Sequence, residues 1–269
     1  MKKLICNKCY PYSEKWIDTN DNIEFKSDLL KNIGIQGNYF DAECATIGIS
    51  GNVSKTEEKL MTQENGCIKD ILQNEELEEN IKKSLGVLIE KNNHRYYSEW
   101  KNGKKLEALS KLAYLKLLVN IDIIKCRVPN CPELLLNNCY INFLETLETL
   151  EKLKLIILIG NKPINIVLKK TFKTKIFKHF WKVFLNRNEN NGQIIIIKPS
   201  SCNELIINNK KMSLQDLCSK KYFVCNYTNL DLENHFDKVI ILMMHLSNYG
   251  KFQKQLDNEM TNLSNLIIQ

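Results

Sequence analysis

Four apolar runs, each the length of a β-strand, are separated by stretches with helical patterns. The runs are residues 44–49, 118–125, 155–159 and 193–197. Strands that are apolar throughout and alternate with helices are typical of a parallel sheet covered on both faces. We therefore predict an α/β fold, in which one domain over residues 1–269 holds a four-stranded parallel sheet flanked by helices. Ligands bind outside the carboxyl ends of such strands, which here are residues 48–52, 122–126, 160–163 and 198–203.

Charged helical patterns fill two longer parts of the chain. Residues 74–116 have apolar residues near helical spacing and predict a helical insertion between the first two strands. Its aromatic and basic stretch, residues 94–100, could stack on nucleic acid or lie in a solvated helical hairpin. The pattern of residues 231–256 also predicts mainly helix. The histidines His179, His235 and His245 lie in helical aromatic or apolar contexts and are interpreted as packed residues.

Composition restricts the classes of protein that are possible. The 269 residues include 38 Lys and Arg against 31 Asp and Glu, a formal charge of +7. This surplus permits a nucleic-acid partner, although an A·T-rich genome would also enrich Lys, Asn and Ile. No apolar run reaches the roughly 18 residues of a membrane span. The basic start, MKKLICNKC, precedes a polar stretch, so no signal peptide and an intracellular location are expected.

Ten cysteines are many for a chain expected in a reducing compartment. Several fit the role of small buried apolar residues. Cys6 and Cys9 form a C-x-x-C pair, whose two thiolates can hold one metal or cluster if a second pair exists.

Short motifs spread over most of the chain resemble those of one enzyme superfamily. In chain order they are Cys6-Asn-Lys-Cys9, residues 37–42, Gly48-Ile-Ser-Gly-Asn52, residues 65–70, Ile123-Ile-Lys-Cys-Arg-Val-Pro129, Cys139, residues 155–160 and Ile197-Lys-Pro-Ser-Ser201. They resemble the uracil-DNA glycosylase superfamily, and most closely its iron–sulfur branch, families four and five. The most specific part is the KCRVP motif, which resembles KCRPP, together with the cysteines.

The resemblance implies a [4Fe–4S] cluster held by the thiolates of Cys6, Cys9, Cys126 and Cys139. In the family this cluster is structural and braces a loop near the DNA. Tetrahedral zinc on the same four residues, or an empty reduced site, remain alternatives. Cys131 lies between the last two ligands and could replace either.

The first catalytic motif departs from the family pattern. A glycosylase flips a base out of DNA and hydrolyses its glycosidic bond. The acid of the family's GEAPG motif corresponds to Ile49, which can neither attack nor activate water. The asparagine of the related GINPG motif corresponds to Ser50, whose hydroxyl could orient a water, and Asn52 is a second candidate. Alternatively, residues 48–52 form only a tight turn.

The family's HPS or MPSS motif corresponds to Lys198-Pro-Ser-Ser. Lys198 could stabilise charge developing on a base oxygen or hold a phosphate. Ser200, Ser201 and Asn203 are expected to contact DNA, in a basic groove beside residues 48–52. Alternatively, the two serines are helix caps. Met61 or Leu60 lies nearest to the position of the family's stacking phenylalanine, and Met61 is a candidate for base binding. Tyr39 or Phe40 of the preceding loop could take its place.

Asp122 corresponds to the asparagine of the family motif TNVVKC, which reads the base edge. An amide can donate to uracil O4, whereas an ionised carboxylate only accepts. A carboxylate suits the exocyclic amine of cytosine, so a damaged or modified cytosine-type base is the expected substrate. The alternative is a structural aspartate paired with Lys125 or Arg127.

These observations predict a DNA glycosylase that acts in repair or in defence against foreign modified DNA. It would work as a monomer with DNA as its partner and without a membrane. A catalytically inactive relative that binds DNA or a protein is the alternative, and a zinc-bound regulatory protein is a third hypothesis.

Overall fold

The computed structural model describes residues 35–37, 41–49, 117–124, 133–190, 194–213, 223–233 and 236–244, and it shows an α/β fold. The helical insertion predicted at residues 74–116 lies outside these ranges. The strands are β1 Ile35–Gly37, β2 Cys44–Gly48, β3 Leu118–Asp122, β4 Leu155–Ile159, β5 Ile195–Pro199, β6 Glu204–Ile207, β7 Lys210–Ser213, β8 Phe223–Tyr227 and β9 Val239–Met243. The helices are α1 Glu133–Glu148, α2 Asn161–Thr171 and α3 Thr174–Asn190, and a 3-10 turn spans Asn229–Asp231.

Seven strands form one mixed sheet in the order β1-β3-β2-β4-β9-β5-β8. The four neighbours β3, β2, β4 and β9 are parallel. On one side β1 is antiparallel to β3. On the other side β5 is antiparallel to β9, and β8 is parallel to β5. The sheet is therefore larger than the four parallel strands that the sequence predicts.

Two predictions about the last strands are wrong. Residues 193–197 were expected to form the fourth parallel strand, but β5 runs against the parallel strands. That position is taken by β9, within residues 231–256, where helix was predicted. All five residues of β9 are buried. A short apolar run that is buried on both faces carries no periodicity that separates a strand from a buried helix.

The number of helices between strands explains the direction of β5. A single helix after a strand returns the chain to the amino-terminal edge of a parallel sheet. Two helices, α2 and α3, follow β4, and they pack against each other. The second helix brings the chain back to the carboxyl edge, so β5 enters from that edge and runs antiparallel to its neighbour.

One face of the sheet builds the main core with the three helices. Phe143 of α1, Val167 of α2 and Phe184 of α3 are fully or almost fully buried in this cluster. Phe172 lies between Phe180 and Tyr227, with edge-to-face ring centroids at 5.1 and 5.2 Å. Aromatic pairs of this geometry add stabilisation beyond the area they bury.

The amino-terminal edge of the parallel strands is joined to the hairpin formed by β6 and β7. The hairpin turns at Asn208 and Asn209, whose φ angles are 54° and 60°, and asparagine tolerates this left-handed conformation. The backbone N–H of Asn208 donates to Glu43 Oε2 at 3.1 Å, and Lys154 Nζ donates to the same oxygen at 2.9 Å. Glu43 thus ties the hairpin to the residues that precede β2 and β4.

Candidate functional site

The carboxyl ends of β2 and β3 lie side by side. Gly48 and Asp122 are register partners. Pairing continues one step further, because the N–H of Ile123 donates to Gly48 O at 3.1 Å and that of Ile124 donates to Ile49 O at 2.8 Å. The first two predicted strand ends therefore meet at one edge, as expected from the sequence.

The Asp122 carboxylate packs directly on the Gly48 backbone. A Cβ at position 48 would lie only 2.5 Å from Asp122 Oδ1, closer than real side-chain carbons approach. Glycine is therefore required here for the close approach of a side chain to the main chain. Asp122 is only 6% exposed, and burying a carboxylate is costly unless its surroundings compensate for lost water.

A second polar pair lies two residues earlier on the same strands. Thr46 Oγ1 donates to Asn120 Oδ1 at 3.0 Å, and both side chains are buried. Register partners in a parallel pair point to the same face, and side chains alternate along a strand, so Thr46, Asn120 and Asp122 share one face. Thr46 and Asn120 were not predicted as site residues from the sequence. The polar residues at alternate positions of LVNID in β3 were the available signal.

The ends of β4 and β9 complete this edge. The N–H of Gly160, which follows β4, donates to Met243 O at the end of β9 at 2.9 Å. Gly160 has a φ of 88°, a conformation that favours glycine, and α2 begins at the next residue. The predicted strand end at residues 160–163 therefore lies beside Gly48.

The expectation that Lys198, Ser200 and Ser201 lie beside residues 48–52 is wrong. Because β5 is antiparallel to β9, Lys198 is level with the start of β9, and through β4 with Cys44. It is separated from Gly48 by four residues along a strand and three strands across the sheet, roughly 20 Å. The KPSS motif therefore lies at the opposite edge from Asp122.

Local bonds explain what the KPSS motif does at that edge. Lys198 Nζ donates to Cys202 O at 2.7 Å, and the N–H of Cys202 donates to Pro199 O at 2.9 Å. Ser200 donates to Tyr227 O through its N–H at 2.7 Å and its hydroxyl at 3.0 Å. These contacts close a turn at the end of β5. Ser201 and Asn203 are exposed in the same turn.

Several predicted site residues lie outside the described ranges, namely Cys6, Cys9, Ser50, Asn52, Met61 and Cys126. The fourth proposed ligand, Cys139, is buried in the second turn of α1. It shares one side of this helix with the buried Asn142 and Thr146, whereas Tyr140 and Phe143 face the apolar core. Within the described residues, no group of three or more His, Cys, Asp or Glu could hold a metal ion.

Two other cysteines have the character of core residues. Burial raises the pKa of the Cys44 thiol far above its ordinary value, and burial raises that of Cys225 to about 11. Thiols of this kind stay protonated at neutral pH, and a protonated thiol is a poor metal ligand or nucleophile. Cys44 and Cys225 are therefore structural.

The fold and this edge define an α/β protein with a polar, partly buried site at the carboxyl ends of parallel strands. Comparisons of the sequence with protein-family models and with curated proteins find no match. No helix in the described part of the chain is long and apolar enough to cross a membrane.

Proposed function

We propose that this protein is a DNA glycosylase that flips out and removes a damaged or modified cytosine-type base, in repair or in defence against foreign modified DNA. One observation carries the proposal: the Asp122 carboxylate lies against Gly48 at the joined carboxyl ends of β2 and β3. These are the two positions at which the sequence resembles the glycine motif and the base-reading motif of the uracil-DNA glycosylase superfamily. In this proposal the protein acts on intracellular DNA as a monomer.

The position of β9 changes which residues we assign to the last motif. This strand occupies the fourth place among the parallel strands, and its chain continues into Met244 and His245-Leu-Ser247. His245-Leu-Ser keeps the histidine and serine of the family's HPS, whereas Lys198-Pro-Ser keeps its proline and serine but lacks the histidine. His245 lies outside the described residues, but it directly follows the buried Met244 at the end of β9. We therefore assign to His245 the role that the sequence analysis gave to Lys198.

Base recognition in this proposal depends on Asp122. A buried carboxylate accepts hydrogen bonds and donates none while it is ionised. It therefore pairs with the exocyclic amine of a cytosine-type base and repels O4 of uracil. Gly48 allows the carboxylate to lie directly against the backbone of β2, at the edge where this proposal places the flipped base.

The proposed reaction is hydrolysis of the glycosidic bond. Ser50 or Asn52 orients a water that adds to C1′ of the sugar, while the C1′–N bond breaks and the base leaves with its electron pair. The proton that the water loses ends on the departing base. The His245 imidazole stabilises the charge that develops on the departing base. The products are a free base and an abasic site.

A metal group completes the proposal. Cys6, Cys9, Cys126 and Cys139 would hold a [4Fe–4S] cluster, or zinc in its place, as a structural brace. The burial of Cys139 on the polar side of α1 is compatible with this role. Iron and zinc analysis of purified protein, together with absorption spectra, distinguishes a cluster from zinc. Cys139→Ser should lower the metal content in either case.

A catalytically inactive DNA-binding module is the second candidate, and one residue favours it. Ile49 stands where the family's acid stands, at the end of β2, and its carbonyl is engaged by the N–H of Ile124. Its apolar side chain cannot activate water.

Abasic-site formation on a panel of oligonucleotides tests the proposal. The panel carries uracil, cytosine, 5-methylcytosine and bulkier 5-substituted cytosines, and the proteins are wild type, Asp122→Asn and Asp122→Ala. Asp41→Asn is the matched control, because Asp41 is an exposed aspartate that precedes the same β2 strand at its other end. Wild type and control should release a cytosine-type base, and Asp122→Asn should shift preference toward uracil by about 1–3 kcal/mol. Equal or faster uracil release by wild type contradicts the cytosine assignment, and inactivity on every base favours the binding module.

A further inference from the structure

The positive charge of this chain is concentrated in one segment. Residues 152–188 contain ten Lys and Arg and no Asp or Glu. The rest of the chain therefore holds 28 Lys and Arg against all 31 acidic residues. The segment covers β4, α2 and most of α3, so the excess of base over acid belongs to one structural unit.

An exposed basic stripe runs along α3. Lys175, Lys178, His179 and Lys182 are exposed and follow one another at helical spacings of three and four residues, so they lie on one face. Phe180 and Phe184 of the same helix are buried in the core on the other side. His179 was interpreted as a packed residue from the sequence; the structure shows it exposed on this stripe.

The preceding helix and turn extend this surface. Lys162 and Lys169 of α2 are seven residues apart and exposed on one face, and Lys173 is exposed in the connection to α3. Together with the α3 stripe they form a basic surface, defined as Lys162, Lys169, Lys173, Lys175, Lys178, His179 and Lys182.

The lysines of the basic surface differ in their partners from four other lysines of the described residues. Lys152, Lys154, Lys211 and Lys238 each pair with a carboxylate, those of Asp41, Glu43, Glu204 and Asp237. For the six lysines of the basic surface, the described residues supply no carboxylate within ion-pair distance. Their charges are thus not neutralised by a carboxylate of the described residues. Because each of these lysines is exposed, leaving its charge in water costs little free energy.

The basic surface begins next to the candidate site. Lys162 follows Gly160 by two residues, at the edge where Gly48 and Asp122 lie. From there α2 leads away from this edge, and α3 returns toward it before β5. Charged groups that start at a site and continue along one face suit a long, linear polyanion.

We propose that the basic surface binds the phosphodiester backbone of duplex DNA. The distance from Lys175 to Lys182 is about 10 Å along the helix axis, and duplex DNA carries one negative charge per roughly 1.7 Å of its axis. Several phosphates therefore fall within reach of the stripe. An anionic membrane fits less well, because the apolar side of α3 is already buried in the core and cannot insert into lipid.

The proposal deepens the proposed function and rests on it only for the choice of DNA, because backbone contacts carry no base specificity. They orient the duplex so that a base reaches the carboxyl edge. Binding to unmodified duplex DNA needs no base removal and can be measured by itself.

The test measures the affinity of the full chain for a short unmodified duplex by fluorescence anisotropy, between about 50 and 200 mM salt. The variant Lys175→Gln/Lys178→Gln/Lys182→Gln removes the α3 stripe. The matched control, Lys152→Gln/Lys211→Gln/Lys238→Gln, removes the same charge from lysines that are paired with carboxylates. Circular dichroism and thermal unfolding verify that both variants are folded.

We expect the stripe variant to lose at least about tenfold in affinity, and the slope of log K against log salt to fall by roughly two to three, since each lost phosphate contact removes about 0.9. The control should stay within about twofold of wild type at the upper salt concentration, because paired charges release few counterions. Equal losses in both variants, or wild type that does not bind duplex DNA, overturn the proposal. So does equally tight binding to anionic lipid vesicles or to polyglutamate.

The two proposals fail separately. A wild-type protein that releases no base, but whose duplex affinity depends on the α3 stripe, ends the glycosylase proposal and supports the surface. A protein that releases bases with equal duplex affinity in all three forms ends the surface proposal alone.

Discussion

The two edges of the parallel sheet hold polar residues in different ways. At the amino-terminal edge the polar groups bond to each other and to the main chain: Glu43 accepts from Lys154 and Asn208, and Lys198 donates to the carbonyl of Cys202. At the carboxyl edge Asp122 lies against a glycine that leaves space for it.

This difference separates structural polar residues from candidate functional ones. The contacts at the amino-terminal edge join the β6–β7 hairpin and the turn after β5 to the sheet, so their loss should lower stability. The contact at the carboxyl edge depends on the absence of a side chain at Gly48, which is a requirement of shape. Substitutions at the two edges should therefore change different quantities.

The largest expected effect contrasts Asp122 with Lys198. Asp122→Ala should reduce release of the preferred base by roughly 10- to 100-fold, the kinetic equivalent of one lost base-edge contact. Lys198→Ala should leave the rate within about twofold, because its ammonium bonds to Cys202 O and Lys198 lies about 20 Å from Gly48 across the sheet. Single-turnover base release measures both. A larger loss in Lys198→Ala would return the KPSS motif to the active site.

Next in size is the effect of adding a single methyl group to the carboxyl edge. Gly48→Ala places a Cβ 2.5 Å from Asp122 Oδ1, so the carboxylate must shift. The free energy of unfolding should fall by about 1–2 kcal/mol, which is typical of overpacking. In the double variant Gly48→Ala/Asp122→Ala the clash is gone, so denaturant unfolding should show strongly non-additive losses. Additive losses would mean that the two residues do not touch.

A smaller effect is expected at the amino-terminal edge. Glu43→Gln weakens the acceptor shared by Lys154 Nζ and the N–H of Asn208, and the free energy of unfolding should fall by about 1 kcal/mol, as for one modest hydrogen bond. Base release should not change. Glu233→Gln is a suitable control because Glu233 is exposed. Loss of activity without loss of stability in Glu43→Gln would remove the distinction between the edges.

The smallest effect concerns Cys225, which is buried on the edge strand β8, away from both proposed sites. Burial raises the pKa of this thiol from 9.0 to about 11. The unfolded chain therefore loses this proton first, and the associated stability is complete below about pH 9 and is lost as the pH rises toward 11. At pH 10 the free energy of unfolding should be about 1 kcal/mol lower than at pH 8 from this group alone. Urea unfolding of Cys225→Ala should show a correspondingly flatter pH dependence.

Much of the fold could be predicted from the sequence, because strand-sized apolar runs and helical periodicity are local properties. The predicted runs at residues 44–49, 118–125 and 155–159 contain β2, β3 and β4, and α1 lies in the helical stretch expected between the second and third runs. The strand at 195–199 was also found, but its direction was not. Direction depends on how many helices precede a strand, which is a property of the whole connection.

Part of the candidate site could also be predicted, because strand patterns are local properties of the sequence. Gly48 and Asp122 meet because adjacent parallel strands end together, and this follows from local patterns alone. Lys198 was misplaced because its tetrapeptide resembles a known motif, and a motif carries no information about the edge at which its strand ends. The basic surface was missed because it becomes visible only when α2 and α3 are known to lie on the outside of one face.

The position of β9 also has consequences for how the chain folds. This strand lies in the interior of the sheet, between β4 and β5, yet it is separated by about eighty residues from its partner β4. During synthesis β4 and β5 therefore leave the ribosome with unpaired edges that stay open until the last described strand arrives. Such edges are templates for aggregation, and pairings of high contact order form slowly. A truncation that ends before Val239 would divide the sheet in two, rather than shorten it at one side.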